Sequence, residues 1–351
     1  DYARTWGTNA ITIDSNGLNY QGQDDSYDVE YTTDGQSVNI VYSGSTNGWI
    51  PIEDDTVTDA PSKVTNPYGI FGFGQTPSLT AVTNLVSDAG VVATDVTGVG
   101  TARRKLSACE YGQDKGIFGY GTDGSVTDAT NLVSNVGVVA TDVTGVGTAR
   151  EAQASATYGG DKGIFAYGWN GSGYISLSNL VSNAGVVASD VTGVGTARGE
   201  TLAACEYSAD KDKAIFGFGY VGGFVSMTNL VSNTGVVSSD VTGVGTARYE
   251  LAACGYGDDK GIFGFGYGGS DISTTNLVSN VGVVATDTTG VGTGRRGAGA
   301  TQYGTDKGIF GFGYDGSFYG MTNLVSNAGV VATDVTAVGT ARGYIAACSY
   351  G

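Results

Sequence analysis

Apolar positions fall into short runs punctuated by glycine and small polar residues, and from residue 69 onward the runs repeat. A segment close to Gly-Ile-Phe-Gly-(Phe/Tyr)-Gly places its Ile at Ile70, Ile117, Ile164, Ile215, Ile262 and Ile309, with Ala166 replacing the second Gly in the third copy. The intervals are 47, 47, 51, 47 and 47 residues. Asn-Leu-Val-Ser begins at Asn84, Asn131, Asn179, Asn229, Asn276 and Asn323, and Gly-Thr-(Ala/Gly)-Arg ends at Arg103, Arg150, Arg198, Arg248, Arg295 and Arg342, always 19 residues later. Such self-similarity marks six copies of one supersecondary unit. In the second unit, strand b is expected over Gly116 to Gly121, strand c near Val126 to Ser134 and strand d over Gly137 to Thr141, and strand a of the next unit follows Arg150. Ser-(Asn/Asp)-X-Gly and Tyr-Gly-X-Asp-Lys supply the short reversals.

A unit of this length with four antiparallel strands fits a propeller blade. A β-solenoid would stack its repeats in a line and need caps. Here the repeats start at strand b (Ile70) and stop after strand a (Gly343 to Tyr350), so the C-terminal strand is placed to pair with the N-terminal one and leave no open edge. The expected fold class is all-β: a six-bladed β-propeller of four-stranded blades over residues 69–351, its C-terminal strand closing the ring, preceded by a small β-rich domain at 1–52 and a linker at 53–68 containing Pro61 and Pro67. In the small domain Tyr27, Val29 and Tyr31 alternate, Asp34-Gly35 supplies a turn, and Val38, Ile40 and Tyr42 alternate back, which predicts a hairpin. Asp1 follows no Met and stands just before a strand-like stretch, so the sequence is expected to begin partway into a longer polypeptide.

The succession of Arg, a small-residue strand such as Leu251 to Cys254, Gly-Tyr-Gly, then Lys260-Gly-Ile-Phe-Gly-Phe-Gly resembles the kelch repeat over about residues 69 to 351. The kelch Gly-Gly doublet stands here as Gly-X-Gly, and the Trp at the end of strand d is absent. The resemblance implies the fold and leaves function open. Tyr2-Ala-Arg-Thr-Trp-Gly-Thr-Asn, Ile11-Thr-Ile and Gly35-Gln-Ser-Val-Asn-Ile-Val-Tyr are similar to small β-domains of phage tail-fibre and other structural proteins. The repeated Thr-Asn-Leu-Val-Ser-Asn-X-Gly-Val-Val is also similar to phage structural sequences.

Composition agrees with a β-rich globule: 60 Gly, 21 Tyr and 12 Phe stand against 2 Met and 7 Glu among 351 residues. A net charge of -17 argues against nucleic acid as a partner. No run of about 18 apolar residues predicts membrane insertion. The absence of His removes Ser-His-Asp and Cys-His catalysis, His-ligated metals and the copper oxidase built on a kelch-type propeller.

Cys109, Cys205, Cys254 and Cys348 occupy one position of strand a in four units and are expected to be separate buried thiols, too far apart for disulfides. The six repeat arginines could face a carboxylate ligand, as in six-bladed sialidases, but the Ser-X-Asp-X-Gly-X-Thr-Trp box is missing. The plainer expectation is that each Arg satisfies backbone carbonyls or an aspartate of the series Asp95, Asp142, Asp190, Asp240, Asp287 and Asp334. Asp123-Gly124 and Asp315-Gly316 read as turn formers before they read as calcium ligands. No metal or other cofactor is called for.

The copies differ in two places. After the repeat Arg stand Arg104-Lys105, Glu151-Ala152, Gly199-Glu200, Tyr249-Glu250, Arg296-Gly297 and Gly343-Tyr344; after strand b the segments are equally varied. Because strands alternate in direction, the d-to-a and b-to-c connections share one face. Aromatic residues concentrate there, and the expected ligand-binding set is Trp169, Tyr174, Tyr220, Phe224, Tyr249, Glu250, Tyr267, Tyr314, Phe318 and Tyr344. These features predict a non-enzymatic receptor-binding or adhesion module, the tip of a phage tail fibre, recognising a host-surface glycan or protein in a virion or extracellular setting. Other virion proteins are expected partners, and a segment preceding Asp1 would be the place for trimerisation. The alternatives are a structural virion or cell-surface protein with an inert propeller, and a glycan hydrolase using Glu200 and Glu250.

Overall fold

A computed structural model describes residues 1, 3–23, 29–53, 67–209, 211–336 and 338–351. The chain divides into two compact units, Asp1–Val64 and Thr65–Gly351. Among the described residues there is no helix. Residues 54–66, most of the expected linker, lie outside the described residues, as does Tyr27 of the expected hairpin.

The first unit corrects the hairpin expectation. β1 (Ile11–Ile13) pairs with β2 (Val29–Tyr31), and β3 (Asn39–Tyr42) pairs with β4 (Trp49–Glu53), all antiparallel. The Asp34 carboxylate does not serve a hairpin turn; it accepts a hydrogen bond from the Gly7 amide at 2.7 Å, holding an upstream segment. The turn joining β3 to β4 uses Gly44 and Gly48, both at positive φ, and an edge-on contact of Tyr42 with Trp49 at 5.4 Å fastens it.

The second unit is six three-stranded antiparallel sheets. The first joins the two ends of the unit: β22 (Ala346–Tyr350) pairs with β5 (Tyr68–Gly72), which pairs with β6 (Thr83–Val86). The second is β7 (Ser107–Tyr111), β8 (Lys115–Gly119) and β9 (Thr130–Val133). The third is β10 (Ala154–Tyr158), β11 (Lys162–Ala166) and β12 (Ser178–Val181). β13 (Ala203–Tyr207), β14 (Lys213–Tyr220) and β15 (Phe224–Val231) make the fourth, and β16 (Ala252–Tyr256), β17 (Lys260–Gly264) and β18 (Thr275–Val278) the fifth. β19 (Gly299–Tyr303), β20 (Lys307–Tyr314) and β21 (Phe318–Val325) complete the set. The first strands are neighbours in the order β7, β10, β13, β16, β19, β22, and β22 lies in turn beside β7.

The repeat predicts four-stranded sheets; the fourth segment instead meets its sheet only at isolated bridges, such as Val133 with Val139 and Thr130 with Val143. The cause is the repeat Asn. Asn131 turns its Nδ2 onto the Ala140 carbonyl at 3.0 Å, so a side chain takes the acceptor that a ladder would have used. The same bond recurs from Asn84, Asn179, Asn229, Asn276 and Asn323.

Aromatic pairs fill the joints between sheets. The second aromatic of the repeat segment meets the first Phe of the next sheet edge-on: Phe73 with Phe118, Tyr120 with Phe165, Tyr167 with Phe216, Phe218 with Phe263, Phe265 with Phe310, and Phe312 with Phe71. The intervening Gly makes this possible, since a Cβ on Gly119 would lie 2.7 Å from Phe165. Where Ala166 replaces that Gly, the ring centroids stand farthest apart, at 5.5 Å.

A second pairing involves the thiols, which are free and buried as expected. Cys109, Cys205, Cys254 and Cys348 each direct Sγ at the Gly that is the second residue of the neighbouring central strand: Gly163, Gly261, Gly308 and Gly116. Where strand a carries Ala156 instead, the Gly is also replaced, by Ala214 of the same buried cluster, so the volume of the joint is kept.

Candidate functional site

Each repeat Arg clasps two sheets together, as the plainer expectation held. Arg103 is fully buried; its Nε donates to the Tyr120 carbonyl at 2.8 Å, its Nη2 to Asn131 Oδ1 at 2.6 Å, and its guanidinium lies 4.4 Å over the Phe73 ring. Asn131 passes the chain on to Asp142, whose other oxygen accepts from Thr101 Oγ1 at 2.6 Å. Tyr120 and its five counterparts adopt left-handed backbone, with φ of 62–66°. That twist turns the carbonyl out of the ladder and toward the guanidinium, so the local strain is offset by a charge-assisted bond. In the Arg150 clasp, beside Ala166, the bonds from Nε and Nη2 are not made and Asn179 Oδ1 is left without them. Burial pushes these guanidinium groups down, to about 10 for Arg103, Arg248, Arg295 and Arg342, which still leaves them charged at neutral pH. All six arginines are consumed by the fold and none is presented to a ligand.

The space between the first strands is likewise unpromising. Its two cavities, one lined by Cys109, Glu110, Cys254, Gln302 and Cys348 among others and the other by Ala108, Ala204, Ala253 and Ala347 among others, measure about 40 and 70 Å³, room for a few waters each.

The varied face is built differently. In every unit the residue after the repeat Arg pairs with the residue that follows the (Phe/Tyr)-Gly of the repeat segment, in the couples Gln75–Gly343, Arg104–Thr122, Glu151–Trp169, Gly199–Tyr220, Tyr249–Tyr267 and Arg296–Tyr314. Two varied positions of the repeat are therefore hydrogen-bonded to each other. Inside them runs a series of backbone bonds: Ala152 N to Lys105 O, Thr201 N to Ala152 O, Glu250 N to Glu200 O, Gly297 N to Glu250 O, Tyr344 N to Gly297 O and Lys105 N to Tyr344 O. The donors Lys105, Ala152, Thr201, Glu250, Gly297 and Tyr344, and Glu200 beside Thr201, all have positive φ. The series so formed brings Lys105 within ion-pair reach of both Glu200 and Glu250, although the three come from different units.

The predicted aromatic set forms one arc on this face. Centroids run from Trp169 to Tyr174 at 5.2 Å, Tyr174 to Tyr220 at 6.2 Å, Tyr220 to Tyr249 at 5.8 Å and Tyr249 to Tyr267 at 5.6 Å, with Phe224 against Tyr220, Tyr249 and Tyr267. Arg296 lies over both Tyr267 and Tyr314 and so bridges to the remaining members, Tyr314, Phe318 and Tyr344. The sequence predicts exposed rings. Only Phe224 is exposed, at 39%; the others are half-buried because neighbouring rings cover one another edge to face. A groove of about 480 Å³, lined by Phe224, Met227, Val241 and Ala247, adjoins the Phe224 end.

Glu250, also of the predicted set, is buried beneath this arc rather than displayed on it. Its carboxylate stands 3.5 Å from Arg296 and 4.0 Å from Lys105; Lys105 is 2.8 Å from Glu200, and Arg296 is 3.7 Å from Asp271. Asp271, in the turn paired with Tyr267, was missed from sequence because it follows no repeat marker. Burial pushes Glu250 up to about 7 despite the pull of Lys105 and Arg296. A carboxyl whose folded value is raised stabilises the fold most at low pH and loses that contribution as pH rises from its ordinary 4.5 through about 7. Denaturant titrations should therefore show stability falling by up to roughly 1 kcal/mol per pH unit across that window, with the Glu250→Gln variant lacking this slope. The chain has no His to mask the effect; superimposable pH profiles would mean that Glu250 is ionised throughout.

No known protein family matches the chain, and no curated protein sequence matches it.

Proposed function

We propose that the six sheets are blades of a six-bladed, kelch-like β-propeller and that the protein is a non-enzymatic receptor-binding or adhesion module of the tail-fibre kind. The cyclic order of the first strands and the six inter-sheet aromatic joints support the propeller. One observation carries the function: the d-to-a and b-to-c connections, where the copies differ, meet in six hydrogen-bonded couples on one face, and nine aromatic residues gather there in two ring groups bridged by Arg296. The partner on this reading is a host-surface glycan or protein.

Replacing Trp169, Tyr220 and Tyr267 together by Ala should weaken binding to host cells by roughly a hundredfold or more, since aromatic anchors dominate such surfaces. Lys115, Lys260 and Lys307, which end the Tyr-Gly-X-Asp-Lys reversals at the other end of the strands, form the control triple. Loss of binding in the control with retention in the aromatic triple would assign recognition to the opposite face.

A second reading, a glycan hydrolase, draws on the raised Glu250 beside Glu200. Lys105 pairs with both carboxylates, and Glu250 is buried, so the two do not face a common open space in which a sugar could lie between them. Sugar release in the same binding assay would favour it.

A further inference from the structure

From the accounting of positive charge we infer that the ligand of the varied face is an uncharged saccharide, an inference that rests on the binding role proposed above. Anionic glycans, phosphates and sulfated or sialylated receptors are held by free Arg and Lys. Among the described residues of the repeat unit, every one but Arg104 is buried or within ion-pair reach of a carboxylate. The six clasp arginines are fully buried. Lys115, Lys162, Lys213, Lys260 and Lys307 each pair with the Asp that precedes them. Lys211 is bound by Glu110, at 3.0 Å.

That leaves three basic residues, all on the varied face. Lys105 is held by Glu200 and Glu250; Arg296 lies over two tyrosine rings with Glu250 at 3.5 Å and Asp271 at 3.7 Å, its Nε making no hydrogen bond. Arg104 donates to Gln75 and lies over Tyr344. Against these three stand Asp123, Glu151, Glu200, Asp271 and Asp315 in the same connections, so the local field repels an anion before contact.

What the face offers is rings and oxygen or amide groups. Trp169 adjoins Asn170, Tyr267 pairs with Asp271, and Tyr314 adjoins Asp315. The tips of the intervening turns are Gly222, Gly269 and Gly316, where an added Cβ would meet nothing within 4 Å. Low tips let a flat pyranose reach the rings, with carboxylates and amides beside them to accept and donate to hydroxyls. A protein partner would instead want a large exposed apolar anchor, and in the arc only Phe224 is exposed.

The test uses the full chain with immobilised neutral polysaccharides (a mannan, a galactan and a glucan), with alginate, and with a sialylated glycan, alongside host cells. Expected is binding to at least one neutral polysaccharide, none to alginate or the sialylated glycan, and an affinity that changes less than about threefold from 10 mM to 1 M salt, over which the screening length falls from about 30 Å to about 3 Å. Trp169→Ala should weaken that binding roughly tenfold or more, and Trp169→Phe should restore most of it. Binding to the anionic glycans, or a steep fall with salt, would overturn the charge inference while leaving a binding face. Attachment to cells that survives stripping of their glycans would point to a protein partner and overturn it in the same way. Absence of binding to every surface would overturn the adhesion reading itself.

Discussion

Deletion of Gly343–Gly351 is expected to abolish the cooperative fold of the repeat unit. The truncation removes β22 and with it the partner of β5 over five register positions, from Ala346–Gly72 to Tyr350–Tyr68. It also removes Tyr344 from the inner series of backbone bonds, and Ile345, Ala346, Cys348 and Tyr350 from the core. Each of those apolar side chains is nearly fully buried, and burial of one is worth about 1.5–3 kcal/mol for the larger types. Their sum approaches the roughly 5–15 kcal/mol that holds a typical domain together. Calorimetry and near-UV circular dichroism would check this. A truncated chain that melts cooperatively within a few degrees of the parent would show that the first sheet is expendable and would count against a closed ring.

Arg248→Ala should destabilise the repeat unit more than any substitution on the varied face. It leaves the Phe265 carbonyl and Asn276 Oδ1 without their donor and strips Asp287 of the cation facing it. Breaking a buried charged network from one side typically costs about 3–5 kcal/mol. Arg150→Ala provides an internal comparison, because its Nε and Nη2 bonds are already unmade. The loss there should be smaller by roughly 1–3 kcal/mol, the contribution of hydrogen bonds to a charged group. Denaturant titration of the two variants beside the parent would measure the difference. Equal losses at the two sites would mean that ring contact and packing volume, common to both, carry the clasp.

Much of the repeat was legible because its markers have fixed offsets. Gly-Ile-Phe-Gly announces a central strand, Asn-Leu-Val the strand beside it, and the Arg a junction. What escaped was the use of side chains in place of backbone. Nothing in the spacing of Asn131 says that its amide will take the Ala140 carbonyl and reduce an expected strand to two bridges. The face carrying the candidate site was legible from strand direction and from where the copies disagree. Its degree of exposure was not, since half-burial of Tyr220 or Tyr249 depends on rings contributed by adjacent units. The N-terminal pairing failed for a related reason: an alternating pattern fixes which side of a strand is apolar, not which neighbour it chooses.

The clasps differ in one respect that bears on how the molecule assembles. From Arg to Asn, those donated by Arg103, Arg198, Arg248 and Arg295 span 28 to 31 residues, whereas the clasp from Arg342 to Asn84 spans 258. Short loops close early and at little entropic cost; a loop of that length closes late. The sheets should therefore form and dock in succession as neighbours, with the seam at β22 and β5 made last. Mechanical or thermal opening should start at the same place. A fluorophore pair across Tyr68 and Tyr350 would report a slower refolding phase than a pair across any other joint, and the slow phase would mark the moment when six units become one cooperative body.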